Sequence, residues 1–156
     1  MKKVIILYSE YSPLVDALKY RLSDFDVVCQ TTSDNIQEDD IVFLTNYKGC
    51  FDGDAIACHY SLLPAFNSET PVKDAILAGV KVTGLTIYRT KTKQIIAQYP
   101  IFVKNEMHYD ELLQELTYAE QTIYPITAEK ILSGEAVELN SLNGCGSCGG
   151  CKVCNH

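Results

Sequence analysis

The last twelve residues of the chain contain four cysteines at regular three-residue spacing and end in a histidine. Thiolates repel one another and oxidise readily, so such a cluster is typical of a metal site. Glycines between the cysteines let the backbone curl tightly and direct its N–H groups towards sulfur. The predicted metal ligands are Cys145, Cys148, Cys151, Cys154 and His156.

Two kinds of metal centre fit this spacing. The contiguous C-x2-C-x2-C pattern resembles the spacing that holds an iron–sulfur cluster. Two C-x2-C pairs also suit zinc, bound by four thiolates or by three thiolates and the imidazole of His156, although structural zinc sites usually have a longer loop between the pairs. A disordered, redox-active or crosslinking tail without metal is the third alternative.

His59 is the second residue placed for chemistry. Residues 54–58 predict a short strand, so His59 follows at its carboxyl end, where α/β sheets bind ligands. The alternative is a hydrogen-bonded histidine of the scaffold. Strand alternation puts position 57 on the face of His59 and Cys58 on the opposite face, where we expect a core residue. Cys50 lies in a predicted turn, and three roles stay open for it: a core residue, a thiol near the site or an extra ligand.

Strands and helices alternate along the chain, which predicts an α/β fold, doubly wound in its amino-terminal half. Short apolar, β-branched runs predict buried strands, and apolar residues at helical spacing predict amphipathic helices. Pro125 is expected to break or kink the last helix. The predicted strands are 4–8, 26–30, 41–44, 54–58, 80–89 and 94–103; the predicted helices are 13–22, 71–79 and 109 to about 132.

The composition predicts one globular domain, 1–139, followed by a Gly/Cys-rich tail, 140–156. The chain has 156 residues, of which 47% are hydrophobic and 21% charged, as is ordinary for a globular protein. No run of 18 apolar residues exists, so we expect no transmembrane helix and no membrane partner. The basic and apolar start of the chain predicts a first strand rather than a signal peptide, and seven cysteines without such a signal favour the reducing cytoplasm.

The net charge of −7 bears on the class of ligand. Binding to phosphate backbones requires clusters of Lys and Arg, and the sequence contains none of any length. We therefore expect a small-molecule substrate rather than a nucleic acid. A homo-oligomer, or a protein partner that docks through the tail, stays open.

Three segments form a recognisable pattern: H-Y-S-L-L-P from His59 to Pro64, the A-I-L-A-G segment 75–79, and V-T-G-L-T-I, 82–87. Together they resemble folate-dependent formyltransferases, the family that includes the phosphoribosylglycinamide and methionyl-tRNA enzymes. The resemblance implies a Rossmann-like, mostly parallel sheet with flanking helices. It also implies transfer of a formyl group from 10-formyltetrahydrofolate to an amine.

The resemblance assigns roles to particular positions. His59 takes the place of the family's catalytic histidine, whereas Ala57 stands where the family has an asparagine. The loop from Thr90 to Gln94 contains no carboxylate where the family has a catalytic aspartate. Two of the three catalytic positions therefore depart from the pattern.

The same resemblance predicts binding residues. Ser61, Leu62, Leu63 and Pro64 would shape the wall on the folate side, although the leucines also suit a plain core. Ser12 precedes Pro13 at a helix amino terminus, where its hydroxyl could contact an anion. The surrounding segment lacks the glycines of the family's phosphate loop, which makes glycinamide ribonucleotide an unlikely substrate.

Three hypotheses follow. The first is an enzyme of the formyltransferase family that transfers a formyl or one-carbon group to a small amine through His59. The second is a non-catalytic protein on the same fold that binds a folate or nucleotide, or senses metal or redox state. A metal-delivery or electron-transfer accessory is a third.

The tail hypothesis predicts metal in the purified protein. After anaerobic purification, a broad visible absorption band with iron and sulfide would identify a cluster, and zinc without colour would identify a zinc site. Deletion of 141–156 should remove the metal. A wild-type protein that contains neither metal would contradict the hypothesis.

Overall fold

The computed structural model describes residues 2–135, which form one six-stranded sheet and three helices. Each predicted strand and helix is found, with ends that differ by a residue or two. The predicted domain boundary at 139 and the cysteine tail lie outside the described residues. The strands are β1 (Val4–Tyr8), β2 (Val27–Gln30), β3 (Ile41–Thr45), β4 (Ile56–His59), β5 (Val82–Arg89) and β6 (Ile95–Phe102); the helices are α1 (Pro13–Arg21), α2 (Pro71–Ala78) and α3 (Tyr109–Ser133).

The sheet has the strand order β2-β1-β3-β4-β5-β6. The strands β2, β1, β3 and β4 are parallel, whereas β5 is antiparallel to β4 and β6 is antiparallel to β5. The predicted α/β fold with a mostly parallel sheet is thus confirmed. Because β1, β3 and β4 run in the same direction, Tyr8, Thr45 and His59 all end at the same edge of the sheet, which we call the carboxyl edge.

The two faces of the sheet are covered differently. Ile6, Phe43 and Ile56 point to the face where apolar residues of all three described helices complete the larger core. Ile5 and Val42 point to the other face, where partly buried side chains of the connecting segments pack instead of a helix. The doubly wound arrangement predicted for the amino-terminal half is therefore not found in residues 2–135. The polar segment 31–40 passes between β2 and β3 without a helix.

The helix α3 crosses the larger core from the carboxyl edge to the opposite edge. Tyr124, in its middle, is 1% exposed, and its hydroxyl lies 2.9 Å from the carbonyl oxygen of Leu44 and 2.8 Å from that of Ile56. The hydroxyl can donate to one of these oxygens at a time, and it links β3 to β4.

The helix runs through Pro125, so the predicted break there is wrong. Burial of Tyr124 and Ala128 beside the proline explains why packing prevails over the lost hydrogen bond.

None of the described helices has the length and apolar character needed to cross a lipid bilayer.

Candidate functional site

The segment after β4 forms a turn that is held by a single buried threonine. The hydroxyl of Thr86 donates to the carbonyl oxygen of Ser61 at 2.7 Å and accepts from the backbone N–H of Leu63 at 3.0 Å. Gln98 donates from Nε2 to the same hydroxyl at 3.1 Å and to the carbonyl oxygen of Leu63 at 2.9 Å. A hydroxyl has one proton and two lone pairs, so the hydrogen-bonding capacity of Thr86 is fully used.

Strand register brings these groups together. His59 pairs with Thr86 across β4 and β5, and Thr86 pairs with Gln98 across β5 and β6. Paired residues of neighbouring strands point to the same face, so the three side chains stand in a row at the carboxyl edge. Gly84 permits close packing against this turn, because a Cβ there would lie 2.7 Å from Leu62 Cδ2 and 2.1 Å from the carbonyl oxygen of Tyr99.

Both ring nitrogens of His59 have partners within the protein. Nδ1 lies 2.8 Å from Oγ of Ser61, which is fully buried, and Nε2 lies 3.0 Å from the carbonyl oxygen of Ser68. A carbonyl oxygen can only accept, so in the neutral ring Nε2 carries the proton and Ser61 donates to Nδ1. This tautomer presents an N–H that could be donated to an oxygen on which negative charge develops.

The positions beside His59 lack the other polar side chains of the family pattern. Ala57 is on the face of His59 and is 9% exposed. The hairpin loop after β5 lies at the far edge of the sheet, where the N–H of Thr90 donates to the carbonyl oxygen of Ala55 at 2.8 Å. Ala55 is four residues before His59, which is about 13 Å along an extended strand. The hairpin is therefore too far away to supply a group to the imidazole.

The other predicted binding residues are distributed around the carboxyl edge. Ser12 is at the amino end of α1, and its side chain does not cap the helix. It follows β1, which is separated from β4 by β3, so it stands about 10 Å from His59 in the direction across the strands. Leu62 and Leu63 are half-buried and Pro64 is exposed. The structure thus brings Ser61 into contact with His59 but leaves Ser12 two strands away.

The cysteines of residues 2–135 differ in their surroundings. Cys58 packs against the larger core, as predicted, and Cys29 is also partly buried there. Cys50 is exposed in the segment between β3 and β4, so it is not a core residue.

A partly buried carboxylate lies on the face of β4 opposite His59. Glu120 of α3 lies near Cys58 and Tyr60, the two neighbours of His59 in sequence. Burial raises the pKa of Glu120 to about 7, and burial also raises the pKa of the Cys58 thiol. The Tyr60 hydroxyl makes a long contact of 3.4 Å with Oγ1 of Thr117. Glu120 therefore titrates near neutral pH directly behind the candidate site.

A large cavity of about 880 Å³ lies at the edge of the sheet opposite His59. Its wall includes Arg89 and Asp54, which form an ion pair at 3.1 Å, and Ile131 near the end of α3. The backbone N–H of Lys91 also approaches Asp54, at 3.4 Å. These charges are engaged with one another in the scaffold, and the cavity is remote from the imidazole.

Sequence reasoning missed several residues of the site. Thr86 and Gln98 stand in segments that were recognised, but their contacts with the 61–64 turn depend on pairing between distant strands. Ser68 gave no signal beyond a polar loop before a helix. Glu120 occupies a helical position next to buried ones, and a carboxylate beside an apolar stripe was the available clue.

The fold is shared with solved formyltransferase structures. The phosphoribosylglycinamide formyltransferase of Bacillus halodurans aligns with a TM-score of 0.67 at 22% identity, over 85% of this chain and 96% of that one. A formyltetrahydrofolate deformylase of Pseudomonas syringae pv. tomato aligns with a TM-score of 0.68 at 17% identity, over 85% of this chain and 62% of that one. At these identities the likeness establishes the fold, which is the Rossmann-like fold of the formyltransferases.

The family follows from the sequence match. The formyl transferase family model matches residues 47–128, more than half of the chain, and the protein therefore belongs to the formyl transferase family. A methionyl-tRNA formyltransferase of Corynebacterium jeikeium is 33% identical over 90 residues, which cover 55% of this chain and 28% of that protein. The phosphoribosylglycinamide formyltransferase of Bacillus subtilis is 34% identical over 86 residues, which cover 53% of this chain and 44% of that protein. The matched segment thus spans less than half of either relative.

Replacement of Thr86 by valine should loosen the 61–64 turn. The change leaves the backbone N–H of Leu63 and the carbonyl oxygen of Ser61 without their partner, and we expect the free energy of unfolding to fall by about 1–3 kcal/mol. Urea denaturation measures this difference. Thr83→Val is the matched control in the same strand, because the buried Thr83 hydroxyl has no hydrogen-bond partner among residues 2–135; its stability should be unchanged or higher. Equal losses in the two variants would contradict the role of Thr86.

The pKa of Glu120 predicts a pH dependence of stability. Its folded value of about 7 exceeds its ordinary value of 4.5, so the protonated form stabilises the fold at low pH. The free energy of unfolding should fall, by an amount on the order of 2 kcal/mol, as the pH rises from about 4.5 to about 7. Denaturation at a series of pH values should show a smaller slope for Glu120→Gln. The exposed Glu38→Gln variant should keep the wild-type slope, and an unchanged slope in Glu120→Gln would refute the assignment.

Proposed function

We propose that this protein binds 10-formyltetrahydrofolate or a similar one-carbon donor at the carboxyl edge and transfers the formyl group to a small amine. The proposal is supported by membership of the formyl transferase family and by the position of His59 at the end of β4. The observation that carries it is the tautomer of His59, whose Nε2 bears a proton. That N–H is suited to the oxygen of an acyl group under attack by an amine.

In the proposed transfer, His59 would act on the formyl group directly, and the other residues would hold His59 in position. The amine nitrogen would form a bond to the formyl carbon as the bond from that carbon to the donor nitrogen breaks, and the proton that the amine loses would pass to the donor nitrogen. His59 would donate from Nε2 to the carbonyl oxygen as it gains negative charge, while Ser61 keeps Nδ1 as an acceptor and so fixes the ring. Thr86 and Gln98 would keep Ser61 in place through the turn. With Ala57 beside it and the hairpin at the far edge, His59 would act without an amide or carboxylate from those positions, and we expect slow transfer.

A second candidate function is non-catalytic binding of a folate or nucleotide, or sensing of metal or redox state through the tail. One observation favours it: both nitrogens of His59 already have partners in the protein. A histidine of this kind can serve as a structural link between β4 and the 65–70 loop. In that case a ligand would bind at the carboxyl edge without chemistry.

Replacement of His59 by glutamine separates the two functions. The wild type should bind a stable 10-formylfolate analogue, measured by calorimetry, and should release formyl groups from the natural donor to a panel of small primary amines. In His59→Gln we expect turnover to fall by about 100-fold or more, because a positioned acid–base group contributes that much, while affinity changes little.

The control is His108→Gln, since His108 is exposed in front of α3. Wild-type binding without transfer, equal to that of His59→Gln, would favour the non-catalytic function. A wild type that binds no folate would rule out both folate functions.

A further inference from the structure

The hydrogen bond between His59 and Ser68 already engages the one N–H group that the proposed chemistry needs. Ser68 follows Pro64 by four residues and belongs to the segment that leads from the 61–64 turn to α2. Its carbonyl oxygen accepts from His59 Nε2 at 3.0 Å. A carbonyl oxygen of a bound ligand would require the same N–H, so Ser68 and the ligand would compete for it.

The position of Ser68 is set by a carboxylate on the first turn of α2. The Ser68 hydroxyl donates to Asp74 Oδ2, and the Thr70 hydroxyl donates to Asp74 Oδ1 at 3.2 Å. The backbone N–H of Thr70 donates to the Ser68 hydroxyl at 3.2 Å. Asp74 thus holds both hydroxyls of the 68–70 segment, while Val72 and Ala75 on either side of it anchor the helix in the core.

From this geometry we infer that Asp74 is a positioning residue that holds the Ser68 carbonyl on His59 Nε2–H, and that this contact must open for a carbonyl ligand to bind there. Asp74 touches neither His59 nor the site, and acts through Ser68. The first half of the inference concerns the protein alone, whereas the second half rests on the proposed function. The half-buried carboxylate accepts both hydroxyl donors from the first turn of α2, where its negative charge also favours the helix.

Removal of the carboxylate should release the ring. In Asp74→Ala the Ser68 carbonyl is no longer held, so the Nε2–H tautomer loses its fixed acceptor and the two neutral tautomers should mix. Nitrogen-15 shifts of the imidazole distinguish one tautomer from a mixture. Carbethoxylation by diethyl pyrocarbonate attacks an unprotonated ring nitrogen, and its rate at His59 should rise between about two- and tenfold, the range that one net hydrogen bond supplies.

The variants are chosen to separate this effect from general loosening. Lys73→Ala is the matched control, because Lys73 is the exposed neighbour of Asp74 on the same helix, and the exposed His108 is an internal reference for the reagent. Asp74→Asn retains one acceptor oxygen and should restore part of the wild-type behaviour. Ser68→Ala keeps the carbonyl but removes its link to Asp74, so it should resemble Asp74→Ala.

Different outcomes test the holding role of Asp74 and the competition between the Ser68 carbonyl and a ligand. A faster reaction of His59 and mixed tautomers in Asp74→Ala, with Lys73→Ala like the wild type, would establish the holding role. If Asp74→Ala also binds the 10-formylfolate analogue about two- to tenfold more tightly, the competition is established as well. Unchanged ring shifts and rates in Asp74→Ala would overturn the inference. A released ring in a protein that binds no folate in any variant would sustain the holding role and refute the proposed function.

Discussion

The arrangement of the site depends on one buried hydroxyl, that of Thr86. It makes one hydrogen bond as a donor and two as an acceptor, which uses the one proton and both lone pairs of the hydroxyl. Its partners are the two backbone groups of the 61–64 turn and the amide of Gln98. Because an unsatisfied buried polar group costs free energy, the turn has one favourable position relative to β5. That position places Ser61 against Nδ1 of His59, while the acceptor-only carbonyl oxygen of Ser68 assigns the ring proton to Nε2.

The antiparallel register of β5 has a second consequence. Pairing of His59 with Thr86 necessarily carries the end of β5 away from the carboxyl edge, to Arg89 beside Ile56. The tight hairpin that follows is pinned to Ala55 by two hydrogen bonds. The register that builds the turn around His59 thus removes the hairpin loop from the site. The shared fold is compatible with different sets of polar groups at the carboxyl edge, and membership of the family alone does not decide the activity.

The strand β4 joins two environments that differ in polarity. On one face His59 meets the polar segment that ends at Asp74, and on the other face Cys58 and Tyr60 meet Glu120 in the larger core. The alternation of a strand makes this division unavoidable, since neighbouring residues point in opposite directions. Helices cover only one face in the described part of the chain, so the site lies on the face that connecting segments cover.

The sequence by itself determined the order and approximate ends of all six strands and three helices, because apolar periodicity, prolines and glycines act over short stretches of chain. It also determined that His59 ends a strand and that Ala57 shares its face. The break considered at Pro125 is wrong, because burial of Tyr124 outweighs the local preference to end a helix. The doubly wound arrangement is not found, because all three described helices pack on one face of the sheet. Only the tertiary structure decided which side chains hold the hydrogen-bond partners of His59 in place. Thr86, Gln98 and Asp74 lie between 15 and 39 residues from it along the chain, and strand pairing and helix docking bring them to one place. No local pattern records such contacts, since their energy depends on groups that become neighbours only in the folded chain.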